Sequence, residues 1–227
     1  FLTDMPNVVY VKNYTPPKIN VKEVLRYAGV KGEIPEISAI VDECVKELEG
    51  KLNYKVCYSE YPVKITGNEI DLSFALVNSK NLAKNLKNCK TYILFCATVG
   101  IAMDRLIAKY SVLSPTKALI FQALGAERIE SLCNLFNKEI QGKYKHTRPR
   151  FSPGYGDLKV ELQREIFAAL NCSKNIGVTL NESLLMSPSK SVTAIIGVCD
   201  ENTCEKNERE EKRGCFNCEK INCAFRK

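Results

Sequence analysis

Between residues 35 and 52, Ile37, Ile40, Val41, Cys44, Val45, Leu48 and Leu52 return every three or four positions. That period gathers them on one face of a helix, and Pro35 suits its first turn. A second stripe of Ile129, Leu132, Cys133, Phe136 and Ile140 predicts a long helix, capped by Ser114, opened by Pro115 and running to about residue 141. It is expected to pack on a sheet through Ile129, Cys133 and Phe136. The run "TYILFCATVG", 91–100, fits a buried strand, although its period alone leaves a helix open. The β-branched "SVTAIIGV", 191–198, predicts an interior strand. "EYPVKI" and "EIDLSF" flank a "TGN" turn and predict a hairpin. Shorter helices are expected at "VKEVLRYA", at "NSKNLAKNLKNC" with Leu82 and Leu86 on one side, at 102–110 and at 158–171, the last with Asp157 as its cap.

Strands and helices intermix without a βαβ alternation. The expectation is an α+β fold, a largely antiparallel sheet packed with helices. Residues 1–199 form the main domain, with a lead-in and helices over 1–52, and 200–227 form a charged, cysteine-rich tail. No internal repeat is present.

The chain has 227 residues and a formal net charge of +7. The lysines are scattered and no aromatic RNA-binding motif lies between them, so nucleic acid is not an expected partner. No stretch approaches the ~18 apolar residues of a membrane span, and the first residues lack the pattern of a signal peptide. Eleven cysteines in such a chain fit reduced thiols or metal ligands, and so a cytoplasmic protein. Cys44, Cys96 and Cys133 fall within apolar patterns and read as core thiols. No His/Asp or Cys/His constellation points to a catalytic residue, and the single histidine, His146, reads as a solvent-facing loop residue.

The chemistry concentrates in "RFSPGYGDLKVELQREIF", 150–167. Pro153-Gly154 and Tyr155-Gly156 make a tight turn that lets main chain approach a ligand. Arg150 offers a planar fork for a carboxylate, and Arg148 is a competitor for that role. Tyr155 adds an aromatic face and a hydroxyl. The set fits a small zwitterionic ligand with a flat ring; an Ω-type loop whose Arg packs on its Tyr is the structural alternative.

These residues carry a resemblance. Arg150…Pro153-Gly154-Tyr155, Leu180-Asn181-Glu182-Ser183 and Ser191-Val192-Thr193-Ala194 resemble the Arg-…-Pro-Gly-Tyr loop, the "Leu-Thr-Glu-Ser" stretch and the "Ser-Val-Ser-Gly" strand of the activation (reactivation) domain of vitamin-B12-dependent methionine synthase. The likeness is most specific over 150–198 and extends to stand-alone relatives of that domain. It implies an activation-domain-like fold and S-adenosylmethionine bound at Arg150, Pro153, Gly154, Tyr155 and Gly156. Arg150 would engage the methionyl carboxylate, Tyr155 would lie near the sulfonium and Glu130 would contact the amino group. After Tyr155 the chain has Gly156-Asp157-Leu158-Lys159 where the full-length enzymes carry a proline- and cysteine-bearing segment with a histidine. It also lacks an Asp-x-His-x-x-Gly cobalamin-ligating motif, so cobalamin would be carried by a partner, a corrinoid protein or shortened methionine synthase.

In the tail, Cys215-x2-Cys218-x4-Cys223 has the spacing of thiolates meeting one metal centre, with Cys204 or Cys199 as the fourth ligand. An iron–sulfur cluster, structural zinc and free or disulfide-bonded thiols are all compatible with that spacing. The expected function is support of reductive methylation of cobalamin. The alternatives are a non-catalytic module that caps a corrinoid protein, and an iron–sulfur electron donor to one.

Overall fold

In the computed structural model, which describes residues 8–32 and 34–199, the apolar run at 91–100 is a strand of a four-stranded antiparallel sheet. The order is β1 (Tyr10–Tyr14), β2 (Tyr54–Pro62), β6 (Cys89–Thr98), β9 (Ser191–Cys199). Successive side chains of β6 go to opposite faces. Ile93, Phe95 and Ala97 join one apolar cluster, while Tyr92, Leu94 and Cys96 join another. Burial on both faces explains why this strand reads as continuously apolar rather than alternating.

The first face is covered by four helices: α1 (Val21–Tyr27), α2 (Pro35–Leu48), α4 (Ala102–Leu113) and α5 (Pro115–Lys143). As its sequence predicts, α5 is capped by the Ser114 hydroxyl, which accepts from the Lys117 amide, and has Pro115 in its first turn. Phe136 of α5 packs on Phe95 at 4.8 Å between ring centroids, with Ile129 and Cys133 in the same cluster. Cys44, Cys96 and Cys133 are buried core thiols. Glu127 and Arg128, 2% and 1% exposed, form a buried pair on α5. Arg128 also donates to the carbonyls of Pro17 and Lys18, and Glu127 accepts from the Asn20 amide, which fastens the lead-in to the helix.

The second face carries α3 (Lys80–Asn85), α6 (Gln163–Leu170), α7 (Cys172–Ile176) and a small sheet of β3 (Lys64–Thr66), β4 (Glu69–Asp71) and β5 (Leu76–Asn78). Leu82 and Leu86 are fully buried there, on the side their spacing predicts. A two-stranded hairpin, β7 (Thr179–Leu180) with β8 (Met186–Ser187), completes the fold.

Two expectations need correction. β9 is not an interior strand: it ends the order of the four-stranded sheet. Its side chains are nonetheless largely buried, Ala194 and Ile196 in one apolar cluster and Ile195 and Cys199 in the other, and residues 146–151 run along its outer edge. That segment bridges to β9 at Thr147–Val198 and Phe151–Ile195. The helix expected over 158–171 is a 3-10 turn, Val160–Leu162, followed by α6 and α7. Asn171, with φ of 45°, separates those two helices.

Candidate functional site

The segment along β9 places the loop that follows it. The amides of Arg148 and Phe151 donate to the carbonyls of Gly197 and Ile195 at 2.8 and 2.9 Å, so the backbone before the loop is held like a short extra strand. The chain then folds on itself. The Tyr155 amide donates to the Ser152 carbonyl, and the Gly154 amide to the Leu158 carbonyl. Gly154 and Gly156 have φ of 88° and 54°, a left-handed backbone that other residues adopt only with strain. A Cβ on Gly156 would lie 2.3 Å from Asn81 Nδ2, so a side chain here would also have to push the exposed Asn81 side chain aside.

Asp157 does not cap the helix that follows it. Its carboxylate accepts from the Ser79 hydroxyl and from the amides of Lys80 and Asn81, at 2.8 and 3.2 Å for the amides. Those groups are the N-terminus of α3, so Asp157 ties the glycine loop to a distant helix. The Ser79 hydrogen bond, with those of the two amides, holds the Asp157 carboxyl below its ordinary pKa.

The loop walls a cleft of about 290 Å³, lined by Glu130 from α5, Arg150, Ser152, Pro153 and Tyr155 from the loop, Gln163 from α6, Met186 from β8 and Ser191 to Thr193 from β9. Arg150 Nη2 donates to Glu130 Oε2 at 3.1 Å and to Asn134 Oδ1 at 3.0 Å. Glu130 and Asn134 are four residues apart and share a face of α5. Cys133 lies beneath them; burial pushes its thiol up to about 12, and the nearby Arg150 guanidinium opposes the shift. Tyr155 is 58% exposed at the mouth, its ring edge-on to Phe151 at 6.2 Å between centroids.

The structure thus brings together Glu130, Arg150, Pro153 and Tyr155. Gly154 and Gly156 are outside the lining and shape the turn instead. Arg148 is directed elsewhere, donating to the Lys87 carbonyl at 2.9 Å. His146 is half-buried, and its carbonyl accepts from the Cys199 amide. Asn134 and Gln163 were not anticipated. Asn134 is signalled by its i+4 spacing from Glu130. Gln163 is signalled by a polar residue in phase with buried Ile166 and Leu170.

Cys204, Cys215, Cys218 and Cys223 lie outside the described residues. Cys199 is buried, its Sγ 2.8 Å from that of Cys89, its register partner on β6. Among the described residues, no group of three or more His, Cys, Asp or Glu side chains is arranged to hold a metal ion, and no helix is long and apolar enough to cross a membrane.

The fold and cleft define an α+β domain with a cleft at the covered edge of its sheet. Residues 130–204, the segment that contributes most of the cleft, match the family model described as "Vitamin B12 dependent methionine synthase, activation domain". Among solved structures, the chain is similar to "Crystal Structure of the MetH Reactivation Domain bound to AdoHcy", with a TM-score of 0.62 and 14% identity over 88% of this chain and 82% of that one. At that identity the likeness shows the fold. No curated protein matches the chain. The resemblance read from Arg150…Tyr155 and from 191–194 is therefore borne out.

Proposed function

We propose that this chain binds S-adenosylmethionine in the cleft and supports reductive methylation of a corrinoid carried by a partner, a shortened cobalamin-dependent methionine synthase. The observation that carries the reading is the Arg150–Glu130 pair facing the cleft beside the glycine loop. An amino acid's carboxylate and ammonium are the complement of that pair. The ligand exchanges one internal ion pair for two, Arg150 taking the carboxylate and Glu130 the ammonium. Tyr155 at the mouth offers a π face to a sulfonium. The similar reactivation-domain structure is bound to AdoHcy, which supports a ligand of this class.

Bound there, S-adenosylmethionine supplies an electrophilic methyl group; the reduced cobalt centre arrives with the partner. The chain's own residues orient the ligand and leave its reactive end at the open mouth. No side chain has to act as acid or base, in keeping with a cleft whose charged side chains, Arg150 and Glu130, are engaged with each other. We further propose that Cys204, Cys215, Cys218 and Cys223 bind one metal centre, an iron–sulfur cluster or zinc. Titration calorimetry with S-adenosylmethionine tests the main reading. Micromolar to sub-millimolar binding supports it, and no heat at millimolar ligand overturns it.

A further inference from the structure

We infer that Gln163 recognises the adenine base of the bound adenosyl ligand. The inference rests on the proposed function and adds the residue that selects the base. Gln163 opens α6 in phase with the buried Ile166 and Leu170, a position that an amphipathic helix gives to an apolar side chain. It is only 7% exposed, and its Oε1 is fully buried with no hydrogen-bond partner among the described residues. A buried acceptor left unpaired is costly, and in a folded protein such an atom calls for a reason. The same side chain lines the cleft that holds Arg150 and Glu130.

The ligand's polarity supplies the reason. Arg150 and Glu130 claim its amino-acid end, so its nucleoside end is left for the rest of the cleft. A half-turn of the carboxamide about its last bond brings the orphan acceptor from its sealed position to the cleft, where it requires a donor, and the exocyclic amine of adenine is one. A carboxamide presents acceptor and donor side by side, the complement of adenine N6 and N7. Pro153, Met186 and Val192 in the same lining provide apolar contact for a flat ring. The ribose hydroxyls are donors too, and the experiment separates them from the base.

The test titrates AdoHcy and S-inosylhomocysteine, in which a carbonyl replaces the exocyclic amine, into wild type, Gln163→Met, Gln163→Glu and Arg150→Ala. Wild type is expected to prefer AdoHcy by about tenfold or more. Gln163→Met keeps the side chain's length, removes the orphan acceptor and is expected to abolish that preference, while melting at or above the wild-type temperature. A merely structural glutamine would lower the melting temperature instead. Gln163→Glu retains an acceptor and is expected to retain the preference, as is Arg150→Ala, which weakens both ligands alike. If wild type binds AdoHcy and S-inosylhomocysteine equally, or if Gln163→Met weakens both by the same factor, as a ribose contact would, the inference is overturned and the proposed function stands. If wild type binds neither, both fall together.

Discussion

The Arg150 guanidinium stands 3.1 Å from the Glu130 carboxylate, joining the glycine loop to the middle of α5. Both partners are partly solvated, so the pair itself contributes about 0–1 kcal/mol to stability. Its importance lies in prepositioning two opposite charges. Glu130→Gln is therefore expected to leave the urea midpoint nearly unchanged while weakening S-adenosylmethionine about tenfold, as a charge-assisted contact to the ammonium becomes a neutral one. Calorimetry and urea unfolding on one preparation check both halves.

The glycine loop separates two kinds of requirement. Gly154→Ala meets open space but keeps a φ of 88°, so backbone strain of about 1–2 kcal/mol is the expected cost. Gly156→Ala adds a clash with Asn81 to a φ of 54° and is expected to cost more and to displace the loop. Urea unfolding should rank wild type, Gly154→Ala and Gly156→Ala in that order, with ligand affinity falling most in the last.

Asp157 sets a pH dependence. Its folded pKa is depressed by the Ser79 hydrogen bond and those of the Lys80 and Asn81 amides. The stability it adds is therefore fully present above the unfolded carboxyl pKa of about 4 and is lost as pH falls through the lower folded value. Asp157→Asn should melt below wild type at neutral pH, and the gap should narrow in strongly acidic solution. Melting curves from pH 7 down to pH 2 give the comparison.

The buried pair on α5 is expected to be the most sensitive point of the lead-in. Glu127→Ala leaves the Arg128 guanidinium buried without its carboxylate, which typically costs about 3–5 kcal/mol. It also removes the acceptor for the Asn20 amide. Urea unfolding measures the loss, and limited proteolysis should show the chain before α1 becoming accessible.

Much of this architecture is legible in the chain because it follows local periods. The three-and-four spacing of Ile129, Leu132, Phe136 and Ile140 marks α5, and the unbroken run at 91–100 marks a strand with two buried faces. The loop is legible for the same local reason, since Gly154 and Gly156 flank the aromatic residue they present. What escaped depends on distant partners. Asp157 looks like the cap of the next helix, yet its carboxylate serves α3, 77 residues earlier at Lys80. The β-branched content of 191–198 reports burial and not sheet order, so it did not show that a loop, rather than another strand, covers its edge. Gln163 breaks the α6 stripe by one residue, too little to stand out before the cleft beside it is seen.

The tail gives a prediction of its own. With Cys204, Cys215, Cys218 and Cys223 as ligands, anaerobically purified protein is expected to carry stoichiometric zinc, or iron with sulfide and visible absorbance. Cys215→Ser should lower the metal content and make the tail more sensitive to protease. Less than about a tenth of an equivalent of either metal, with unchanged protease resistance in the variant, would contradict it.

The central claim is that the cleft beside Arg150 binds S-adenosylmethionine, and calorimetric titration of wild type and Arg150→Ala tests it most directly. The account predicts saturable binding to wild type and a loss of about 1.5–3 kcal/mol in the variant, roughly tenfold to a hundredfold in affinity. No binding to wild type at millimolar ligand, or equal affinity in the two proteins, would contradict it.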